Sequence, residues 1–231
     1  EKYLASFIPK EKYSLIPDMA FMLSDYDLEY DFIDDLRKKF DCIIGITVRD
    51  WKFPNLDNPK YAMKNYINAI SKAMTILSQK YNACFVFVPQ VTVYTGDDTI
   101  VAKKIKNILD ETDKEIFFIR EDDWSPYEIK ALIGNFDYFI GTRMHSNIFA
   151  TSMHIPTTAI AYERKTNGIM KTLEMEKYVV EIDTISAEKL ISIVEGMIEN
   201  NVSIKKHLNE KINEIRKEIY NNTTKVLTKE K

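Results

Sequence analysis

The sequence predicts an α/β domain built on a parallel sheet of about six strands. Three observations carry this. From Asp41 onward, short apolar runs alternate with amphipathic stretches, as in folds where each strand is followed by a covering helix. The stretch after the first run places Met63, Tyr66, Ile67, Ile70, Met74 and Leu77 at a period near 3.6. Helix-opening residues also stand where the alternation needs them, at Asp97-Asp98 and at Ser125-Pro126.

Taken in order, the expected strands are Cys42–Val48, Ala83–Val88, Glu115–Ile119, Phe136–Gly141, Thr157–Tyr162 and Tyr178–Ile182. The helices between them follow Asp97 toward Leu109, open at Ser125-Pro126, and come after Arg143, Thr166 and Ser186. The common Rossmann-like strand order, 3-2-1-4-5-6, is expected. Residues 41–200 then form the main domain and residues 201–231 a charged terminal helix. Its narrow stripe of Ile204, Leu208, Ile212, Ile215 and Ile219 needs a partner surface, in this domain or another. Residues 1–40 break the repeat and are expected to be the tail of a preceding domain plus a linker. One strand is expected within Tyr13–Leu23 and the linker at Ser24–Asp35.

A chain of 231 residues, 45% hydrophobic and 29% charged, is large enough to bury one substantial core. Its formal net charge of -3 argues against a general nucleic-acid partner, which would demand a basic surface. Cys42 and Cys84 each lie in or beside an apolar run and are expected to be buried, reduced thiols. No segment has the length and apolarity of a membrane span, and no signal peptide is visible, so a cytoplasmic location is expected. The chain starts at Glu1 without a methionine.

In open parallel sheets, ligands bind beyond the carboxyl ends of the strands, where the strand order reverses. There the first strand ends in Arg49-Asp50-Trp51, the fourth in Gly141-Thr142-Arg143-Met144-His145-Ser146, and the fifth in Glu163-Arg164-Lys165. Two of these turns run into helix N-termini, whose free amides and dipole favour anions. Guanidinium groups suit carboxylates and phosphates, so a site for a small, multiply charged anion is expected. The GxGxxG turn, the P-loop, HExxH and the GxSxG elbow are all missing from the sequence. Plainer readings also stand: Arg143 as a surface residue, His145 as a helix cap, Arg49 paired with Asp50 or another carboxylate, His154 as structural and His207 as solvated. Trp51 and Phe53 stand open between sugar stacking and packing.

The run from Asp137 to Ala150, followed by His154 to Tyr162 and Lys165 to Met170, resembles the polysaccharide pyruvyl transferase family. Ile44–Arg49, Phe87–Gln90 and Glu121–Pro126 extend the resemblance, and Tyr13–Leu23 is similar to the last strand of that family's first domain. The resemblance implies a glycosyltransferase-B-like half that transfers a pyruvyl group from phosphoenolpyruvate to a sugar of a cell-surface polysaccharide or its precursor, forming a ketal. Arg49, Arg143, His145, Lys165 and Ser146 are then expected to bind substrate, with His145 and Arg143 catalytic and His145 the general acid/base. No metal or further cofactor is expected. The acceptor is expected to be a sugar or lipid-linked saccharide, the latter bringing the enzyme to the inner membrane surface. The alternatives are a nucleotide-sugar glycosyltransferase of the same architecture and a binding-only domain.

Overall fold

The structure, a computed structural model, describes residues 6–9, 16–92, 96–110, 115–119 and 124–228, with side chains through residue 225. Its strands are β1 (Cys42–Thr47), β2 (Ala83–Phe87), β3 (Phe117–Ile119), β4 (Tyr138–Gly141), β5 (Thr157–Ala161) and β6 (Val179–Glu181). They form one six-stranded sheet in the order β3-β2-β1-β4-β5-β6, and every neighbouring pair is parallel. The predicted order is therefore observed. All six strand runs are present at slightly shorter length, and β3 opens at Phe117 rather than Glu115. β1, β2, β4 and β5 are buried along their whole length, as strands covered on both faces must be.

The helices follow the chemistry of their starts. α2 (Pro59–Tyr81) is capped by Asn58, α3 (Asp98–Leu109) by Asp97, and α7 (Ala187–Glu199) by Ser186. α4 (Pro126–Gly134) has a full capping box, in which Ser125 and Glu128 satisfy each other's backbone N–H. α5 (Met144–Ser152) and α6 (Arg164–Thr172) leave the ends of β4 and β5. α6 thus starts two residues earlier than Thr166, the expected boundary.

Residues ahead of β1 differ from expectation. Residues 16–23 hold a 3-10 turn at Met19–Met22 instead of a strand, because the Asp18 carboxylate accepts the Ala20 N–H and closes the chain on itself. Residues 13–15 lie outside the described residues. The acidic stretch expected as linker contains the start of α1 (Asp31–Arg37). Phe21, Ile33, Leu36 and Phe40 are buried in the same core as the sheet. Charge reinforces this packing: the Arg216 fork grips Asp25 and donates to the Phe21 carbonyl, and Lys130 meets Asp25 at 2.7 Å.

The terminal helix α8 (Asn201–Thr228) finds its partner surface within this domain. Its predicted stripe is buried from Ile204 to Ile219, against α5, α7 and the Met19–Met22 turn. His207, expected to be solvated, instead donates to the Leu173 carbonyl at the end of α6 at 2.8 Å. Phe53 is core, at 1% exposure, and does not stand as a sugar platform. Cys42 and Cys84 are free and buried, and burial pushes the Cys42 thiol up to about 12.

His154 is half-buried at φ +60, just past the end of α5. Burial first, and then Arg216, hold its pKa below 6.5. The unfolded chain therefore takes the proton first, and His154 contributes stability above about pH 6.5 that is lost as pH falls. A His154→Asn variant keeps a residue type that tolerates the left-handed backbone. Its denaturation curves should show a flatter loss of stability between about pH 7 and about pH 5 than the parent, with little change at about pH 8.

Candidate active site at the switch point

The strand order reverses between β1 and β4, where Thr47 stands opposite Gly141. The Thr47 hydroxyl oxygen accepts the N–H of Thr142 at 2.9 Å and of Arg143 at 3.3 Å. Ser146 donates its hydroxyl to the Arg143 carbonyl at 2.7 Å, so the 3.0 Å contact between Thr47 and Ser146 is donated by Thr47. Thr142 in turn pairs with the Tyr66 hydroxyl at 3.0 Å, and burial raises that phenol's pKa. Thr47, Tyr66, Thr142 and Ser146 are all fully buried. Gly141 is required by close approach: a Cβ there would overlap the Asn147 amide, which donates to the Gly141 carbonyl at 3.2 Å.

Beyond this clamp lies a pocket of about 270 Å³. Gln90 and Val91 line it from the end of β2, Arg143 to His145 from the start of α5, and Tyr162, Glu163, Lys165 and Thr166 from the start of α6. α5 and α6 carry no side-chain cap among the described residues, in contrast to α2, α3, α4 and α7. The first α5 backbone bond is that of Asn147 to Arg143, and the first at α6 is that of Thr166 to Glu163. The amides of Met144 and His145, and of Arg164 and Lys165, precede those bonds, leaving two positive helix ends at one pocket.

Arg143, Lys165 and His145 are brought together on this wall. Arg143 is not the free surface residue of the plain reading: its Nε and Nη2 fork the Asp98 carboxylate, with Nε at 3.0 Å. Burial pushes the Asp98 carboxyl above its usual range, and the Arg143 fork opposes that rise. His145 is well exposed, and its Nε2 lies 4.0 Å from Asp18 Oδ2. Lys165 is exposed at the mouth.

Two expected residues sit elsewhere. Ser146 faces the Thr47 network and is fully buried, so its hydroxyl holds backbone rather than lining the pocket. Arg49 stands behind the wall, with its guanidinium carbon 4.0 Å from the Tyr162 ring centre and 4.9 Å from that of Trp51. Its buried Nε has no hydrogen-bond partner among the described residues. Asp50 pairs with Lys52 instead of Arg49. Asp98, Asp18 and Gln90 were not singled out as site residues from sequence. The signal for Asp98 was available: two adjacent acids at one helix start, of which Asp97 alone makes the cap. Among the described residues, no group of three or more His, Cys, Asp or Glu is placed to hold a metal ion. No described helix is long and apolar enough to cross a membrane.

Fold and site together define a Rossmann-like, glycosyltransferase-B-like half with a pocket at its switch point lined by Arg143, His145 and Lys165. The chain belongs to the polysaccharide pyruvyl transferase family, whose model matches residues 1–164. The amylovoran biosynthesis protein AmsJ of Erwinia amylovora is 29% identical over 107 residues, which cover 46% of this chain and 25% of that protein. The chain thus spans about a quarter of the length of that relative. Among solved structures, S. aureus MnaA in its UDP co-structure aligns at TM-score 0.63 and 13% identity, over 90% of this chain and 51% of that one. A putative UDP-N-acetylglucosamine 2-epimerase from Listeria monocytogenes aligns at TM-score 0.56 and 11% identity, over 80% and 43%. At these identities the likeness is one of fold.

The Thr47 clamp makes a stability prediction. Thr47→Val keeps the shape and the Thr47 carbonyl that the Thr142 N–H also meets at 3.3 Å, but removes the hydroxyl acceptor of the Arg143 N–H, so chemical denaturation should show a loss of roughly 1–3 kcal/mol. A loss below about 0.5 kcal/mol would show that the hydroxyl does not hold the turn.

Proposed function

We propose that this chain is the donor-binding, catalytic half of an enzyme that transfers a pyruvyl group from phosphoenolpyruvate to a sugar of a cell-surface polysaccharide or its precursor. The observation that carries the proposal is the convergence of two uncapped helix ends with Arg143 and Lys165 on one small pocket, in a chain of this family. Its volume of about 270 Å³ lies at the lower end of ligand pockets, which suits a small donor with a carboxylate and a phosphate better than a nucleotide sugar.

In this scheme Arg143 and the α5 amides hold one anionic end of the donor, and Lys165 with the α6 amides holds the other. Arg49 strengthens the positive field from behind Tyr162. An acceptor hydroxyl oxygen bonds to C2 of phosphoenolpyruvate while its proton passes to the C3 methylene, which becomes the methyl group. The C2–O bond to phosphate then breaks, and a second hydroxyl of the same sugar closes the ketal, giving its proton to the departing phosphate. His145, exposed at the pocket edge, is the group that relays the proton. Cationic side chains and helix ends supply the charge the departing phosphate needs, and no step uses a metal or further cofactor.

Acceptor choice then rests with a preceding domain, for which residues 1–40 are the tail; residues 41–200 form the donor domain. Phosphoenolpyruvate places the reaction in the cytoplasm, with contact at the inner membrane surface where the acceptor is lipid-linked. The test is phosphate release by the full-length protein from phosphoenolpyruvate with a panel of glycosides that carry neighbouring free hydroxyls. His145→Ala should lower turnover by about 100-fold or more with the fold intact. Normal turnover in that variant would remove His145 from the chemistry.

A further inference from the structure

We infer that Asp98 is a positioning residue whose task is to fix the orientation of the Arg143 guanidinium against the donor. The inference rests on the donor reading of the pocket. Asp98 lies 45 residues before Arg143, at the start of α3 and behind the wall formed by the end of β2. Asp97 takes the capping work, accepting the Thr99 N–H at 2.8 Å and its hydroxyl at 2.7 Å. Asp98 is thereby released from the cap. Its own N–H donates to the Val91 carbonyl at 2.9 Å, tying it to a segment that lines the pocket.

The carboxylate is fully buried, and the Arg143 side chain is 16% exposed. Nε and Nη2 both face Asp98, and Nη2 also approaches the Gly96 carbonyl at 3.4 Å. One edge of the guanidinium plane is therefore consumed, and Nη1 is left without a hydrogen-bond partner among the described residues. Separating the pair would leave a buried carboxylate unpaired, at a cost of several kcal/mol. Arg143 is thus locked in one plane rather than free to swing.

Charge gives the second line of support. A pocket built for anion affinity alone gains nothing from a buried negative charge beside its arginine. Asp98 weakens the local field, and what it supplies in exchange is geometry. A merely structural tie between α3 and α5 is the competing explanation, and the two differ in what they do to ligands of different shape.

The test uses the full-length protein, with calorimetric binding of phosphoenolpyruvate and of inorganic phosphate. Phosphate is nearly spherical and indifferent to the plane of the guanidinium, whereas phosphoenolpyruvate needs both ends placed. Asp98→Asn should weaken phosphoenolpyruvate binding by about 10-fold while leaving phosphate within about 3-fold of the parent. Arg143→Lys, which keeps the charge but loses the fork, should show the same selective loss with Asp98 itself left in place. The double variant should bind phosphoenolpyruvate no worse than Arg143→Lys alone. Equal loss of both ligands in Asp98→Asn, tighter phosphoenolpyruvate binding in it, or unchanged binding in Arg143→Lys would each overturn the inference. Failure of the parent protein to bind phosphoenolpyruvate would overturn the donor reading itself, and this inference with it.

Discussion

The pairing of β1 with β4 at Thr47 and Gly141 is the constraint on which the rest of the site depends. At that point the sheet reverses its winding, and the two chain ends must turn away in different directions while staying in contact. The Thr47 hydroxyl makes this possible by accepting two consecutive N–H groups from the turn after β4. The turn is thereby fixed before α5 begins. Ser146 closes the loop from the other side, and Gly141 leaves room for Asn147 to reach back. The result is a helix that starts at Met144 with its first amides unspent.

The cationic groups in and behind the pocket sit in three different settings. Arg143 is gripped by a buried carboxylate, Arg49 lies against two aromatic rings, and Lys165 is exposed at the mouth. These groups differ in how much freedom they keep. His145 is exposed at the pocket edge, 4.0 Å from Asp18.

Much of the fold was legible in the sequence because strands buried on both faces announce themselves as continuous apolar runs. The caps at Asp97, Ser125 and Ser186 likewise show through local chemistry alone. The Met19–Met22 turn and α1 were missed because their buried anchors, Phe21, Ile33, Leu36 and Phe40, are too widely spaced among acids to show a period. The position of the site was legible from topology, and so were Arg143, His145 and Lys165 as strand-end residues. Side-chain direction was not: Ser146 and His145 are adjacent, yet one is buried in the Thr47 network and the other faces solvent. The pairing of Arg143 with Asp98 is a contact across 45 residues, which no local pattern encodes.

A switch-point pocket shaped for phosphoenolpyruvate is the proposal on which the function rests. The most direct measurement is the melting temperature of the full-length protein titrated separately with phosphoenolpyruvate and with a UDP-sugar. Phosphoenolpyruvate should raise it progressively, by the equivalent of about 2.7 kcal/mol at a hundredfold excess over its Kd, while the UDP-sugar leaves it unchanged. Stabilisation by the UDP-sugar and none by phosphoenolpyruvate would contradict the account.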